Sequence, residues 1–375
     1  MLPTIYLKQF GCPTMRVFAE ELADELSHRG FRILDTSENG VLSLEDNVES
    51  IKLANVCIFY MCGIVEFCER EIFNFIKSIR ITNKKADIII TGCNFDKYKN
   101  PGYRFNLVTG EPEEIKEYIF RKYDSIAEYS TGKNKILNTK SIIVKSNCNK
   151  FCSYCIEPFL RGGSTYLNIY NSYSNIISSA KEAEKAGFKS VRLTGLCIGD
   201  WKDKKSGKGI LDLMLGVLNH TSLSIRDLEF HPNDLTPAVI ELLSNPRIGK
   251  QLSIPVQSGS DRILSAMNRG YTIYHVNKII RSIYNKVPEV KITTDIIVGF
   301  PGETNADFKL TCNFVVSYPF ERIYIMRFNS RPGTMAAGMK NQTPCIIKRK
   351  RIKLISDELN KNSVNFIIRD AKKRP

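Results

Sequence analysis

Cys148-Asn149-Lys150-Phe151-Cys152-Ser153-Tyr154-Cys155 is a CxxxCxxC run. Three such thiolates can hold three irons of a [4Fe-4S] cluster, leaving the fourth iron without a protein ligand and open to a small molecule that it can bind and reduce. A structural zinc site is closed by four ligands, and neither a fourth Cys nor a His follows at finger spacing. On ligand count the run therefore points to an open iron–sulfur site.

Outward from this run, short β-branched stretches alternate with amphipathic ones, the pattern of βα units on a parallel sheet. Residues 141–145, 190–194, 227–230, 251–255, 291–298 and 322–328 read as strands, with helices at 172–186, 210–219, 260–267, 273–286 and 304–316. That makes about six βα units, fewer than the eight of a closed barrel. An incomplete barrel leaves an open side, which a large substrate needs. Residues 1–125 show the same alternation on a smaller scale, with strands at 4–10, 56–60, 86–91 and 104–108 and helices at 15–28, 65–79 and 113–121. The expected architecture is α/β: an N-terminal parallel-sheet domain over 1–125, a polar linker over 126–140, an incomplete (β/α)6 TIM-like barrel over 141–344, and a basic helix or tail over 345–375.

Three cysteines in the first domain, Cys12, Cys62 and Cys93, each follow a strand-like run. In a parallel sheet the ends after the strands share one edge, so the three could converge there as a second three-thiolate site, although small residues and buried Cys are also common at strand ends. Gly11 and Gly92 remove side chains beside two of them, which suits a backbone that approaches a bulky cofactor. Cys57, Cys68 and Cys312 sit within a strand or helix pattern and read as core. Cys197 differs, because Leu193-Thr194-Gly195-Leu196-Cys197 ends a barrel strand on the side where barrel enzymes carry their sites.

Hydrophobic residues make up 43% of the 375 and charged residues 25%, ordinary values for a globular chain. The eleven cysteines lack the dense, short-loop pattern of a secreted disulfide scaffold. The N-terminus has no apolar run behind a basic stretch, and nothing approaches the roughly 20 apolar residues that cross a bilayer. A reduced, cytoplasmic protein with no membrane partner is expected. The formal charge of +15 points toward a polyanion such as RNA or DNA. Residues 345–375 alone carry ten Lys and Arg against three Asp and Glu, nearly half of that excess. Within them Ile352, Ile355 and Leu359 fall at helical spacing, which predicts an apolar face docked on the barrel and a basic face exposed.

The run at 148–155, continued by Ile156-Glu157-Pro158-Phe159-Leu160-Arg161-Gly162, resembles the radical S-adenosylmethionine motif of the methylthiotransferases. So do Ile254-Pro255-Val256-Gln257-Ser258-Gly259-Ser260-Asp261-Arg262, Met267-Asn268-Arg269-Gly270-Tyr271-Thr272 and Thr293-Thr294-Asp295-Ile296-Ile297-Val298-Gly299-Phe300-Pro301-Gly302-Glu303-Thr304. The resemblance covers nearly the whole chain in order. It implies two [4Fe-4S] clusters and S-adenosylmethionine. Cys148, Cys152 and Cys155 would hold the cluster that cleaves S-adenosylmethionine to a 5′-deoxyadenosyl radical, and Cys12, Cys62 and Cys93 the auxiliary cluster that carries the sulfur. Tyr154 matches the position near the adenine. Thr194, Gly195, Gln257 and Ser258 fall after barrel strands, where the bound cofactor should lie.

The same resemblance implies methylthiolation at carbon 2 of the hypermodified adenosine beside the tRNA anticodon, an exposed base that can be splayed into a pocket. The partners it implies are tRNA through its anticodon loop, a reductant such as flavodoxin or ferredoxin, and a sulfur donor. Leu193-Thr194-Gly195 and Cys152-Ser153-Tyr154-Cys155-Ile156 look more like enzymes of N6-threonylcarbamoyladenosine. Phe230-His231-Pro232 and Ser330-Arg331-Pro332-Gly333-Thr334 look more like those of N6-isopentenyladenosine. A ribosomal-protein aspartate as substrate, and a non-catalytic iron–sulfur protein that binds RNA, are further readings. The chain departs from the family's pattern in having Asn147 where Gly usually precedes the first cluster cysteine, and Tyr60-Met61 where Asn-Thr usually precedes the second auxiliary one. The family commonly ends in a small RNA-binding β-barrel, and this sequence stops before one, which would leave more of the RNA binding to its basic tail.

Overall fold

The run Val56-Cys57-Ile58-Phe59-Tyr60-Met61 is buried at every position, as is Asp87-Ile88-Ile89-Ile90-Thr91-Gly92. Strands apolar on both faces belong in the middle of a parallel sheet covered on both sides, and that is where they lie. The computed structural model describes residues 3–9, 13–35, 48–61, 66–92, 105–109, 111–123, 138–160 and 169–369. It divides the chain into two compact units, one of residues 1–136 with 163–167 and one of the remainder.

In the first unit β1 (Thr4–Gln9), α1 (Pro13–His28), β2 (Arg32–Asp35), α2 (Val48–Leu53), β3 (Val56–Met61), α3 (Glu66–Thr82), β4 (Asp87–Gly92), β5 (Leu107–Val108) and α4 (Pro112–Tyr123) follow one another. The sheet order is β2-β1-β3-β4-β5, and every pairing is parallel. β1, β3 and β4 are therefore neighbours, ending at Gln9, Met61 and Gly92 on one edge. Gly92 has φ +102°, and a Cβ there would lie 2.5 Å from the Met61 carbonyl oxygen. The demand for glycine at this position thus comes from the close approach of β3, a different cause from the bulky cofactor that the sequence suggests. Asp87 is buried at the start of β4 and is held by Lys122 at 2.7 Å, Tyr123 at 2.7 Å and Tyr118 at 3.0 Å, which fastens the end of α4 to the sheet.

The second unit begins with β6 (Thr139–Lys145), followed by α5 (Glu157–Leu160), α6 (Tyr173–Lys185), β7 (Ser190–Gly195), α7 (Ile210–His220), β8 (Ser224–Ile225) and β9 (Leu228–Glu229). It continues with α8 (Pro237–Leu242), β10 (Gln251–Ser253), α9 (Asp261–Ala266), α10 (Ile273–Lys286), β11 (Lys291–Val298), α11 (Asn305–Val315), β12 (Arg322–Arg327), α12 (Cys345–Lys361) and β13 (Phe366–Ile368). The strands pair in parallel, in chain order, as β6-β7-β8 and β9-β10-β11-β12-β13, and an isolated parallel bridge joins Ile225 of β8 to Ile248, three residues before β10. Among the described residues no pairing joins β6 to β13, the far edge of β6 meeting only a short antiparallel bridge from Lys145 to Tyr170, so the barrel stays open. Its helices cover the outside through a core that includes Trp201, Phe230, Ile280, Ile296 and Ile355.

Helix starts follow local capping chemistry. Ser172, Thr236, Ser260, Thr272 and Thr304 each accept a backbone N–H of the first turn, and Thr304 with Asp307 forms a reciprocal capping box. On α12 Ile352, Ile355 and Leu359 are buried, while Arg349, Lys350, Lys353 and Lys361 are exposed. Arg351 is buried as well, donating to Glu303 Oε2 at 2.6 Å and to the Glu303 carbonyl at 2.9 Å. Beyond α12 the chain adds β13 to the edge of β12, so the basic segment contributes to the barrel wall. No described helix is long and apolar enough to cross a membrane.

Candidate radical site at the open barrel

The cysteine run forms the loop that leaves β6. Phe151, between the first and second cysteines, takes φ 46°, and a Cys155 N–H to Cys152 carbonyl bond of 2.9 Å closes the turn that brings the second and third together. The segment after α9 grips this loop from below. Ser153 donates its N–H to the Met267 carbonyl at 3.0 Å and its hydroxyl to the Ala266 carbonyl at 2.8 Å, and Asn268 Nδ2 donates to the Phe151 carbonyl at 2.9 Å. On the other side, Lys150 bridges to Asp234 at 2.7 Å, and buried Lys145 is paired with Asp200.

The thiols differ in their surroundings. A hydrogen bond with Cys197 lowers the Cys148 thiol to about 7, against the opposing pull of burial, whereas burial raises Cys155 to about 12 despite a backbone bond from Glu157. A metal ion's charge overrides such preferences and deprotonates a ligating thiol outright. Among the described residues no three His, Cys, Asp or Glu side chains stand as ligands of a single ion. The thiolates of a cubane cluster each take a different iron, so they need not converge on one point.

The sequence-derived cofactor residues are brought to the same end of the barrel, the ends of β7 and β10. Thr194 Oγ1 and Gln257 Oε1 are buried, and neither has a hydrogen-bond partner. Gly195 has φ 148°, and a Cβ there would stand 1.9 Å from the Lys145 carbonyl oxygen. Tyr154 packs on Ile263, Met267, Ile297, Phe300, Phe328 and Ala336. Ser258 is engaged elsewhere: its hydroxyl lies 3.3 Å from Thr311 Oγ1 and accepts the Ser260 N–H at 3.2 Å. Cys12, Cys62 and Cys93 lie outside the described residues, one to three positions beyond the ends of β1, β3 and β4.

Three neighbours escaped the reading by sequence or were read without a role. Arg269 is buried with Nη1 3.1 Å from Cys152 Sγ. His231 is buried edge-on to Tyr271, with ring centroids 5.1 Å apart. Cys197, at φ 52°, sets its thiol 3.5 Å from Asp234 Oδ2. The positions of Cys197 after a barrel strand and of His231 at a strand end signalled proximity; Arg269 carried no such signal.

Residues 142–315 match the Radical SAM superfamily. Across 95% of this chain and 85% of the relative, the sequence is 31% identical to the tRNA-2-methylthio-N(6)-dimethylallyladenosine synthase of Carboxydothermus hydrogenoformans. The chain belongs to the radical S-adenosylmethionine methylthiotransferase family. A second relative, the threonylcarbamoyladenosine tRNA methylthiotransferase MtaB of Thermotoga maritima, is 29% identical over 97% of this chain and 84% of its own. Among solved structures, the radical S-adenosylmethionine methyltransferase TsrM of Kitasatospora setae aligns with a TM-score of 0.54 over 90% of this chain and 77% of that one, at 13% identity, a likeness of fold.

This methylthiotransferase is therefore an enzyme that transfers a methylthio group, with S-adenosylmethionine and two [4Fe-4S] clusters as its cofactors. The residues at the barrel mouth fit them. Three thiols stand on one loop, and the two orphaned polar atoms of Thr194 and Gln257 await a ligand that can hydrogen-bond, since a buried polar group left unpaired costs about 1–3 kcal/mol.

Proposed function

We propose that the enzyme methylthiolates carbon 2 of N6-threonylcarbamoyladenosine beside the anticodon of tRNA. The observation that carries a tRNA substrate is the 95% coverage of this chain by a relative named for tRNA modification. The net charge of +15 suits a polyanionic partner. The choice of threonylcarbamoyladenosine rests on Leu193-Thr194-Gly195 and Cys152-Ser153-Tyr154-Cys155-Ile156. Phe230-His231-Pro232, Ser330-Arg331-Pro332-Gly333-Thr334 and the name of the relative at 31% identity favour a second reading, the same reaction on the isopentenyl base.

In this proposal Cys148, Cys152 and Cys155 hold the radical cluster, and Cys12, Cys62 and Cys93 hold the auxiliary one in the first domain. The radical cluster with S-adenosylmethionine would supply reductive cleavage and a radical, and the auxiliary cluster the sulfur for insertion; the protein supplies placement and exclusion of water. Lys150, paired with Asp234, and Asn268 fix the loop. Thr194 and Gln257 offer their free oxygens to the bound cofactor, Gly195 lets β7 close against the Lys145 carbonyl beside it, Tyr154 lies toward its adenine, and Ser258 shapes the turn beneath it. Adjacent strands lie about 4.8 Å apart, so the ends of β1, β3 and β4 span only ~10 Å, a width that suits one cubane. A flavodoxin or ferredoxin would deliver the electron, and a separate donor would restore the auxiliary sulfur.

Nucleoside mass spectrometry of tRNA from a strain lacking the gene tests the reading. It predicts loss of the methylthio group from threonylcarbamoyladenosine alone. Loss from the isopentenyl base selects the second reading, and an unchanged nucleoside profile rejects tRNA as the substrate.

A further inference from the structure

Arg269 follows Asn268 (φ 57°) and precedes Gly270 (φ 68°), two left-handed residues that turn its side chain back under the cysteine loop. It is 7% exposed. Four hydrogen bonds fix the guanidinium: Nε to the Tyr271 hydroxyl at 2.7 Å, Nη2 to the Pro255 carbonyl at 2.6 Å, and Nη1 to Cys152 Sγ at 3.1 Å and the Tyr154 hydroxyl at 3.4 Å. The ties already described, Ser153 to Met267 and Asn268 to Phe151, hold the backbone on both sides of Cys152 against the residues just before Arg269. Its register on that sulfur is thus set by backbone as well as side chain.

A buried cation is costly unless an anion sits beside it. Among the described residues no carboxylate forms an ion pair with Arg269. Its polar partners are two phenols, a carbonyl and one sulfur, and of these only the sulfur carries charge as a metal ligand. The carboxylates of Glu229 and Asp295 are near enough to feel Arg269 but make no hydrogen bond to it, so the anion that its Nη1–H meets directly is the Cys152 thiolate, together with the cluster bound to it.

We propose that Arg269 is a positioning residue that sets the reduction potential of the radical cluster, through its charge and its Nη1–H bond to the Cys152 sulfur. Taking up one electron adds one negative charge to the cluster, and a fixed cation with a hydrogen bond to a ligand sulfur stabilises that form more than the oxidised one. Arg269 therefore raises the potential and brings the cluster within reach of its electron donor. The inference rests on Cys152 being a cluster ligand, as proposed above.

The test is an EPR-monitored redox titration of the full chain, reconstituted anaerobically, with Cys12, Cys62 and Cys93 replaced by Ala so that one cluster remains. Arg269→Gln is expected to shift the reduction equilibrium at least tenfold toward the oxidised form, about 59 mV for one electron, at unchanged iron content and far-UV circular dichroism. Arg269→Lys, which keeps the charge but not the planar fork, is expected to fall between Gln and the parent. Equal potentials in all three chains would overturn the proposal. Should the Gln variant fail to retain its cluster, the Lys variant decides alone: a smaller negative shift supports the inference, and a potential equal to the parent's overturns it. Cys152→Ala in the same background separates the two claims, because a cluster that survives it removes the ligand assignment and the inference together, whereas a cluster lost with Cys152 but indifferent to Arg269 removes the inference alone.

Discussion

Thr194 and Gln257 show how a single residue can be read for what it lacks. Both are buried at the barrel mouth with a polar atom unpartnered. Replacing an unsatisfied hydroxyl by an apolar group of similar shape is close to neutral for folding. Thr194→Val should therefore hold stability within about 0.5 kcal/mol of the parent while weakening S-adenosylmethionine binding roughly tenfold, the equivalent of one lost hydrogen bond. Calorimetric titration beside thermal melts checks both; a drop in stability with unchanged affinity would show the hydroxyl to be structural. His231 gives a pH signature. Burial, helped by Arg269 and Lys150, holds its imidazole down at about 3 against 6.5 unperturbed. Below pH 6.5 the unfolded chain takes up a proton that the folded chain refuses, so stability falls as the pH drops from 6.5 toward 3, by at most about 1.4 kcal/mol per unit. Urea denaturation of His231→Phe should show a flatter acid limb, and a limb identical to the parent's would remove His231 from that account.

At the scale of elements, local signals carried far. Five barrel helices were legible nearly end to end, four of them beginning at Ser172, Ser260, Thr272 and Thr304, whose side chains accept the waiting N–H groups, whereas the six-residue α8 went unread despite its Thr236 cap. The cysteine run was legible for the same reason: three ligands within eight residues need no knowledge of the fold. Arg269 was not, since its sulfur partner lies 117 residues away in sequence and only the barrel brings them together. β13 was hidden by its surroundings, three apolar residues inside a strongly basic segment. β2 is four residues long and follows α1 closely, too short for periodicity to register. Gly195 was singled out for its place after β7, but its cause is the Lys145 carbonyl of β6 pressing against it. Gly195→Ala should then destabilise the second unit by more than about 2 kcal/mol, because backbone blocks the new Cβ and an L side chain is strained at φ 148°. Chemical denaturation measures it, and a loss under 0.5 kcal/mol, the range of an ordinary surface change, would contradict that packing.

Across the whole molecule, composition fixed less than spacing did. The charge of +15 suggested nucleic acid without placing it, and the basic segment, read as a helix or tail with an apolar face docked on the barrel, is docked as read and adds a strand besides. Arg351 belongs to that architecture: it enters the barrel wall and pairs with Glu303, next to the family's Gly299-Phe300-Pro301-Gly302 turn, whose Gly299 N–H also binds Glu303 at 2.7 Å. Removing one partner leaves a buried charge uncompensated, so Arg351→Ala should cost about 3–5 kcal/mol by urea unfolding. Charge reversal at exposed Arg349 and Lys353 should leave stability nearly unchanged. The division of labour between the two units is the central claim, with Cys148, Cys152 and Cys155 at the barrel mouth and Cys12, Cys62 and Cys93 beyond the ends of β1, β3 and β4. Iron and sulfide analysis of the anaerobically reconstituted chain tests it most directly. Two cubane clusters predict about eight irons per chain in the parent and about four when either triplet is replaced by Ala; about four irons in the parent, or no loss on replacing a triplet, would contradict it.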